Sequence, residues 1–396
     1  MITRQEALAH IGSVPAIQET ETLPLEECVG RILAEDVAAR LTHPPAAMSA
    51  MDGYAVRFAE ALSNGPLALI GEAAAGTPFD GIVAPGQCVR VFTGSVIPRG
   101  CDHVIIQEDV RRQDTTVWIN VPQVSPRNIR QAGVDFHAGQ VLLEAGARIR
   151  PAHLSICAAA NHASMIVYRR PRVALLTNGD ELKPPGSDLQ PGQIISSNEY
   201  ALKALIRDWG AEAINLGTAR DDPSDIRRRV EDAGNPDVFV PIGGASVGDH
   251  DHMKDVFGHL GFDPIFTKIA IKPGKPTWHS RRDHQYVLGL PGNPASALVC
   301  AHLFLRPLMN ALQGQPADAQ WMQAPLVASL PANGAREAFL RGTLAHTKNE
   351  APSITPASNQ DSSLLTPFIE TNFLIHRPSD APALAAGDMV EGVWLA

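Results

Sequence analysis

The stretch Asp237 to Asp251, DVFVPIGGASVGDHD, constrains this 396-residue chain more than any other. Its opening, Asp237 to Pro241, is short, apolar and β-branched, as expected of a buried strand. It runs directly into Gly243, Gly244, Ala245, Ser246, Val247 and Gly248, with a helix expected from near Asp251. Glycines let backbone N–H groups turn inward, and the helix adds the positive end of its dipole, so the arrangement suits an anion. The loop has neither the GK[ST] ending of a P-loop nor the spacing of GxGxxG. By itself it leaves a phosphate cradle and a plain strand-to-helix turn both open.

The residues around it repeat the pattern. VALL at 173–176 reads as a strand leading into TNGDE, and a helix from Ser196 carries Leu202, Leu205, Ile206 and Trp209 at helical spacing before stopping at Gly210. Ala213 to Leu216 leads to ARDDP, where Asp222 can cap a helix with Pro223 in its first position. A helix to Gly261, strands near Ile265–Ile271 and Tyr286–Leu290, and a helix from Pro294 complete the series. Strands alternating with helices imply a mainly parallel sheet, and right-handed crossovers put every strand's carboxyl end on one edge. Ligands of open α/β sheets bind outside that edge. Five loops are therefore expected to line one crevice: Gly179–Glu181, Asp221–Asp222, Gly243–Gly248 with Asp249 and Asp251, Lys272–Lys275, and Pro291–Pro294.

The flanks differ in texture. Thr3 and Glu6 are spaced as a capping box for a short first helix. Residues 40–131 carry short β-type runs, Val89–Phe92, His103–Gln107 and Val117–Val121, punctuated by Gly and Pro. A helix is expected around Ala152–Ala160, and short runs at Phe339–Leu344, Phe373–His376 and Val390–Leu395 suggest a second β-rich module. The expected domains are a discontinuous linking domain (1–39 and 132–169), a small β-rich domain (40–131), an α/β domain (170–312) and a C-terminal β-barrel-like domain (313–396). The fold class is α/β plus β-rich domains in an elongated chain.

Charge narrows the ligands. A formal net charge of −9 argues against general nucleic-acid or membrane binding, so an anionic substrate must be held by local basic spots. Lys268 and Lys272, four apart on an expected strand, share a face, and Lys275 follows the Pro-Gly turn. Three such lysines can hold an oxyanion or a terminal phosphate, or simply form a solvated strand end. Carboxylates facing a phosphate loop would repel substrate unless a cation lies between, and Mg²⁺ suits oxygen ligands shared with phosphates. Glu181, Asp221 and Asp251 are the candidates, whereas Asp222 and Asp249 fit capping and loop roles. In PGNP, Asn293 is expected to cap a helix that Pro294 begins, after Pro291 and Gly292. Five scattered cysteines without a CxxC pair read as reduced thiols, no zinc-ligand spacing supports the 14 histidines, and no h-region opens the chain. The longest apolar run, near Ala295–Leu305, reads as too short to span a bilayer, and the expected location is cytoplasmic.

SAMDGYAV (49–56), VFTG (91–94), RQAGVD (130–135), GDE, RDDP, GGASVGDHD, AIKPGKP and LPGNPASA, taken in order, resemble the molybdenum insertase family of bacterial MoeA and the gephyrin E domain. The likeness covers essentially the whole chain. It implies an elongated homodimer of four-domain subunits, in which the α/β domain of one subunit faces the small β-rich domain of its partner. It also implies a reaction, in which adenylylated molybdopterin and molybdate, with Mg²⁺, give molybdenum cofactor and AMP. The family's carboxylates fall on Asp52, Asp135, Glu181, Asp221 and Asp251, its hydroxyl on Thr93, and its lysines on Lys268 and Lys272. Its paired prolines fall on Pro291 and Pro294, and its RxAGxD arginine on Arg130. Arg336 and Ser362 match weaker C-terminal motifs. Asp52, Thr93 and Asp135 would then act across the dimer interface. The resemblance also suggests the molybdopterin adenylyltransferase and molybdoenzyme chaperones as partners. Three positions depart from the pattern: Asn178 stands where threonine is common, Val134 where glutamate is, and Ser363 where a histidine is usual.

Three rival readings remain. An adenylyltransferase or nucleotide pyrophosphatase would share the α/β domain but hardly need three more. A non-catalytic scaffold predicts neutral residues at the acidic positions, which are intact here. A tungsten-inserting relative is not separable by sequence, because tungstate and molybdate have nearly the same size and charge.

Overall fold

A computed structural model describes residues 1–244, 252–317, 320–345 and 351–395. The chain forms two compact units, one of residues 1–20 with 168–396 and one of residues 21–167.

The larger unit is built on a six-stranded sheet in the order Glu212–Ala219, Arg172–Asn178, Val238–Ile242, Gln285–Gly289, Trp278–Arg282, Asp263–Phe266. The first four strands are mutually parallel, and the last two are antiparallel to their neighbours. Alternate residues along one strand face opposite layers. Val173 and Leu175 join Val238 and Val240 against Leu202, Ile206 and Leu298. Ala174, Leu176 and Phe239 pack with Ile226, Val230, Met253 and Phe257. Helices Asn198–Asp208, Pro223–Asp232 and His252–His259 supply those apolar faces. Because the strands ending at Asn178, Ala219, Ile242 and Gly289 are parallel, their carboxyl ends share one edge, as expected.

After the PGNP turn, one helical run extends from Pro294 to Leu312, with a π turn at Ala301–Leu305 between two α segments. Pro307 lacks the N–H of a continuous α-ladder, and a π turn just before it absorbs that defect. This run, longer than the apolar stretch read from sequence, has the length and apolarity to cross a membrane, but it is mostly buried inside the unit. Helix Arg4–Gly12 starts with the expected capping box and buries Ala7 and Ile11 in the same core as Leu308 and Leu312.

Residues after 320, joined by Ile271–Lys272, form a second sheet in the order Ile271–Lys272, Glu337–Ala345, Phe373–Arg377, Met389–Trp394, Trp321–Pro325, with Ser353–Pro356 also paired to Glu337–Ala345. One sequence expectation is corrected here. Lys268 and Lys272 do not lie on a common strand: the central sheet's edge strand ends at Phe266, and Ile271–Lys272 pairs in parallel with Glu337–Ala338 of the C-terminal sheet. The run read as one strand supplies elements to two sheets.

The smaller unit has its own six-stranded sheet, ordered His103–Ile106, Gly53–Val56, Gln87–Val91, Pro66–Ala73, Thr116–Ile119, Val110–Gln113. Tyr54, Val56, Leu67, Ile105 and Val117 fill one of its cores. Helix Pro151–Ala159 contributes Cys157 to another, with Leu33, Ile149 and Val167.

Candidate functional site

At the carboxyl edge of the central sheet lies a cavity of about 710 Å³, within the range of small-molecule sites. Its walls include Glu181, Gly243, Gly244, Lys268, Lys275, Pro291, Gly292, Asn293 and Pro294, drawn from loops far apart in sequence. The Gly243–Gly244 backbone needs glycine: both residues have positive φ, and a Cβ on Gly244 would approach Met253 to 2.9 Å. Ser246, Gly248 and Asp251, expected to continue this loop, lie outside the described residues, as does Asp249.

The strand ends at Asn178 and Ala219 are laced together by polar side chains. The Asn178 amide nitrogen donates to Asp221 Oδ1 at 2.5 Å, and the Asp221 backbone N–H donates to Asp180 Oδ1 at 3.4 Å. Glu181 folds back over Gly179, where a Cβ would sit 2.4 Å from Glu181 Oε2. Asp222 caps its helix, accepting from the Ser224 hydroxyl and backbone N–H, and these bonds hold its carboxyl below the ordinary range. Asp221 therefore keeps one oxygen on Asn178 while its neighbour takes the capping task.

The PGNP turn corrects a second expectation. Pro294 is the first helical residue, but Asn293 makes no side-chain cap. Its amide nitrogen instead donates to Ser362 Oγ at 2.9 Å, and the Ser362 carbonyl accepts from the Ala295 N–H at 3.0 Å. The helix start is thus closed by a loop of the C-terminal part of the chain. Buried Arg341 braces that loop through the carbonyls of Asn359, Asp361 and Leu364. Ser363, the position departing from a usual histidine, lines the cavity. Arg336 donates to the Ile271 carbonyl at 3.2 Å, tying the lysine-bearing segment to the second sheet. Lys272 is exposed and, unlike Lys268 and Lys275, does not line the cavity.

In the smaller unit, Asp52 accepts from the Thr93 backbone N–H at 2.8 Å and its hydroxyl at 2.9 Å. Those two bonds hold the Asp52 carboxyl below its ordinary value. Arg90 lies over the Tyr54 and Phe92 rings, 5.1 Å and 4.9 Å from their centroids, and so braces the strands on either side of this pair. Arg130 ends a short strand paired with Met48–Ser49, so it shares a ladder with the segment that carries Asp52. Exposed Asp135 is fixed through its backbone N–H, which donates to the His43 carbonyl at 3.2 Å.

Sequence reading passed over one wall of the cavity. Leu182, Ile194 and Ile195 form an apolar side, and Thr177, Asn178, Ser196 and Asn198 a polar one. Thr177 Oγ1, Asn178 Oδ1, Ser196 Oγ and Asn198 Oδ1 are buried without a hydrogen-bond partner among the described residues, although Asn198 also donates to the Gly292 carbonyl at 2.8 Å. The four residues line the cavity, with these particular atoms enclosed behind its surface. The available signal was the shift from VALL to the polar pair TN at the strand's end.

Comparison with known proteins agrees along the chain. Residues 2–161 match the family described as "MoeA N-terminal region (domain I and II)", residues 174–311 "Probable molybdopterin binding domain", and residues 323–395 "MoeA C-terminal region (domain IV)". The molybdopterin molybdenumtransferase of Haemophilus influenzae is 34% identical, with 98% of each chain covered. That of a Nostoc species is 36% identical over 83% of this chain and 78% of its own. The crystal structure of a molybdopterin biosynthesis MoeA protein from Pyrococcus horikosii superposes with a TM-score of 0.85 at 30% identity, covering 100% of this chain and 99% of that one. With relatives matched from end to end and a cavity built from the loops that carry the shared motifs, the chain belongs to the MoeA family of molybdopterin molybdenumtransferases.

Proposed function

We propose that this transferase moves molybdenum from molybdate into adenylylated molybdopterin, releasing AMP and forming molybdenum cofactor. The observation that carries the reading is one cavity in which the Glu181 carboxylate, Lys268, Lys275, a glycine turn and the PGNP helix start meet. A multiply charged guest with both phosphate and oxyanion parts fits that mixture of signs.

Mg²⁺ fits the donor set on its own terms. Among the described residues no three Asp, Glu, His or Cys side chains form a metal-holding group. Mg²⁺ is commonly bound by one or two carboxylates and completed by substrate phosphates and water, so Glu181 and Asp221, with Asp251, would hold it. When bound, the cation supplies charge neutralisation to the phosphoanhydride and the departing AMP. The chain's own part is to position and to balance charge. Gly243 and Gly244, with Ser246 and Gly248, receive phosphate on backbone N–H groups. Lys268, Lys272 and Lys275, with Arg336, Ser362 and the Pro291–Pro294 turn, receive molybdate and the pterin's terminal phosphate. No covalent nucleophile is required.

The same reading makes the enzyme a cytoplasmic homodimer with four domains: 1–39 with 132–169, 40–131, 170–312 and 313–396. Asp52, Thr93, Arg130 and Asp135 would serve the reaction of the partner subunit. The molybdopterin adenylyltransferase and molybdoenzyme chaperones are its partners by class, and tungstate remains an alternative donor. A single-turnover assay with adenylylated molybdopterin, Mg²⁺ and molybdate tests the core of it. Glu181→Ala or Asp221→Ala is expected to slow AMP release by about 100-fold or more, and parental rates in either variant would refute the assignment.

A further inference from the structure

Lys268 and Lys275 line the cavity, and neither makes a hydrogen bond or ion pair through its side chain among the described residues. Both ammonium groups are therefore open to an anion. Their backbone is held in an unusual way. Residues 267–270 lie between the central sheet, whose edge strand ends at Phe266, and the strand Ile271–Lys272 of the second sheet. A segment outside both ladders must find partners for its N–H and C=O groups elsewhere. It finds them on Ile2. The Ile2 N–H donates to the Lys268 carbonyl at 3.0 Å, and the Ala270 N–H donates to the Ile2 carbonyl at 2.8 Å, forming a parallel bridge between Ile2 and Ile269. The Ile269 N–H donates in turn to the Lys275 carbonyl at 3.0 Å, which fastens the second lysine to the first.

Ile2 is itself fixed. Its half-buried side chain packs on the main core of the larger unit, Thr3 caps the first helix, and Arg4 donates to Glu337 at 2.9 Å. Glu337 is also the residue paired with Ile271. The lysine-bearing segment is thus gripped at Lys268–Ala270 by the residues ahead of the first helix and at Ile271–Lys272 by the second sheet. Gly274 leaves its turn little freedom, since a Cβ there would sit 2.3 Å from Cys300 Sγ.

We propose that Ile2 is a positioning residue for Lys268 and Lys275, so that the residues ahead of the first helix help to aim the cavity's cations at the substrate. The inference rests on the reading, given under Proposed function, that those lysines receive anionic substrate. Ile2 does not line the cavity, so it acts through its backbone bonds and not by touching the guest. A proline at this position removes the N–H that the Lys268 carbonyl accepts.

The test uses the full-length protein and reads KM and kcat for molybdate and for adenylylated molybdopterin, together with hydrogen exchange at the Ala270 amide. Ile2→Pro is expected to raise KM for at least one of the two anions about fivefold to tenfold, the scale of a weakened hydrogen bond to a charged group. Its kcat is expected to stay within about twofold, and exchange at Ala270 to quicken about tenfold. Ile2→Gly keeps the N–H but loosens the backbone, so it is expected to fall between Ile2→Pro and the parent. If Ile2→Pro fails to fold, Ile2→Gly carries the same comparison. Leu8→Ala weakens the same core from the first helix and is expected to lower the thermal midpoint with both KM values parental. In a protein carrying both Lys268→Ala and Lys275→Ala, Ile2→Pro is expected to add no further rise in KM. Parental KM values in the Ile2 variants, or an equal rise in Leu8→Ala, would overturn the inference and leave the enzymatic reading standing. Parental KM values in the double lysine variant would refute the anion-holding role of the lysines and end this inference with it.

Discussion

Asp225 shows how a residue without a place in the cavity holds the turn whose Asp221 is bonded to the cavity-lining Asn178. Its side chain is 5% exposed and accepts from Arg228 at 2.5 Å, Arg229 at 3.0 Å and the Arg220 backbone N–H at 3.1 Å, so it fastens the turn that carries Asp221. Burial pushes its carboxyl up, but the bonds from Arg228, Arg220 and Arg229 outweigh that and hold it well below the usual range. Asp225→Ala is expected to destabilise the protein by about 2–3 kcal/mol near neutral pH, at the low end for a broken buried pair because Arg228 remains largely in solvent. A depressed carboxyl stabilises the fold above the unfolded value of about 4 and loses that contribution on acidification. The gap between parent and variant midpoints is therefore expected to narrow below about pH 4. His279 and His302 act at milder acidity. Burial pushes both imidazoles down to about 4, so the unfolded chain takes up their protons first as pH falls through about 6.5. Stability is expected to decline between those two values, and His302→Leu to flatten that slope, as read by calorimetry from pH 7 to 4.

The first helix, the second sheet and the lysine-bearing segment converge on Glu337. Arg4 donates to Glu337 at 2.9 Å, and its guanidinium lies over Trp321 at 5.1 Å and Phe339 at 5.6 Å. Glu337 also accepts from His376 Nε2 at 2.7 Å, and Glu337–Ala338 pairs with Ile271–Lys272. Glu337→Ala is expected to lower stability by about 2–3 kcal/mol, because two partners lose a half-buried acceptor. In a double-mutant cycle with Arg4→Ala the two losses should fall short of additivity by about 1 kcal/mol. Full additivity in chemical denaturation would show that the contact carries no energy.

On the scale of the molecule, each unit has its own apolar cores. Among the described residues, those of 21–167 contain no side chain from the other unit. A unit of that size with a complete core folds by itself in most cases. The excised 21–167 segment is expected to give a cooperative thermal transition and a sheet-type circular dichroism spectrum. An unfolded product would show that its cores depend on the rest of the chain.

Much of the central domain is legible in the sequence because its signals are local. An apolar run buried on both faces, a capping aspartate before Pro223 and glycines at positive φ each depend on neighbours a few residues away, and each stands where the pattern puts it. The edge on which Glu181, Gly243 and Pro291–Pro294 gather follows as well, since parallel strands leave one carboxyl side. What the sequence did not disclose depends on partners distant along the chain. Asn293 turns to Ser362, 69 residues away, instead of capping, and Lys272 joins a sheet built mainly after residue 320. The amide of Asn178 finds Asp221, 43 residues on. Composition and periodicity determined the layers and the rim of this protein. Which atom on that rim faces which ligand was decided by tertiary packing, because a hydrogen bond between strand ends is set by where the sheet brings them and leaves no trace in residue spacing.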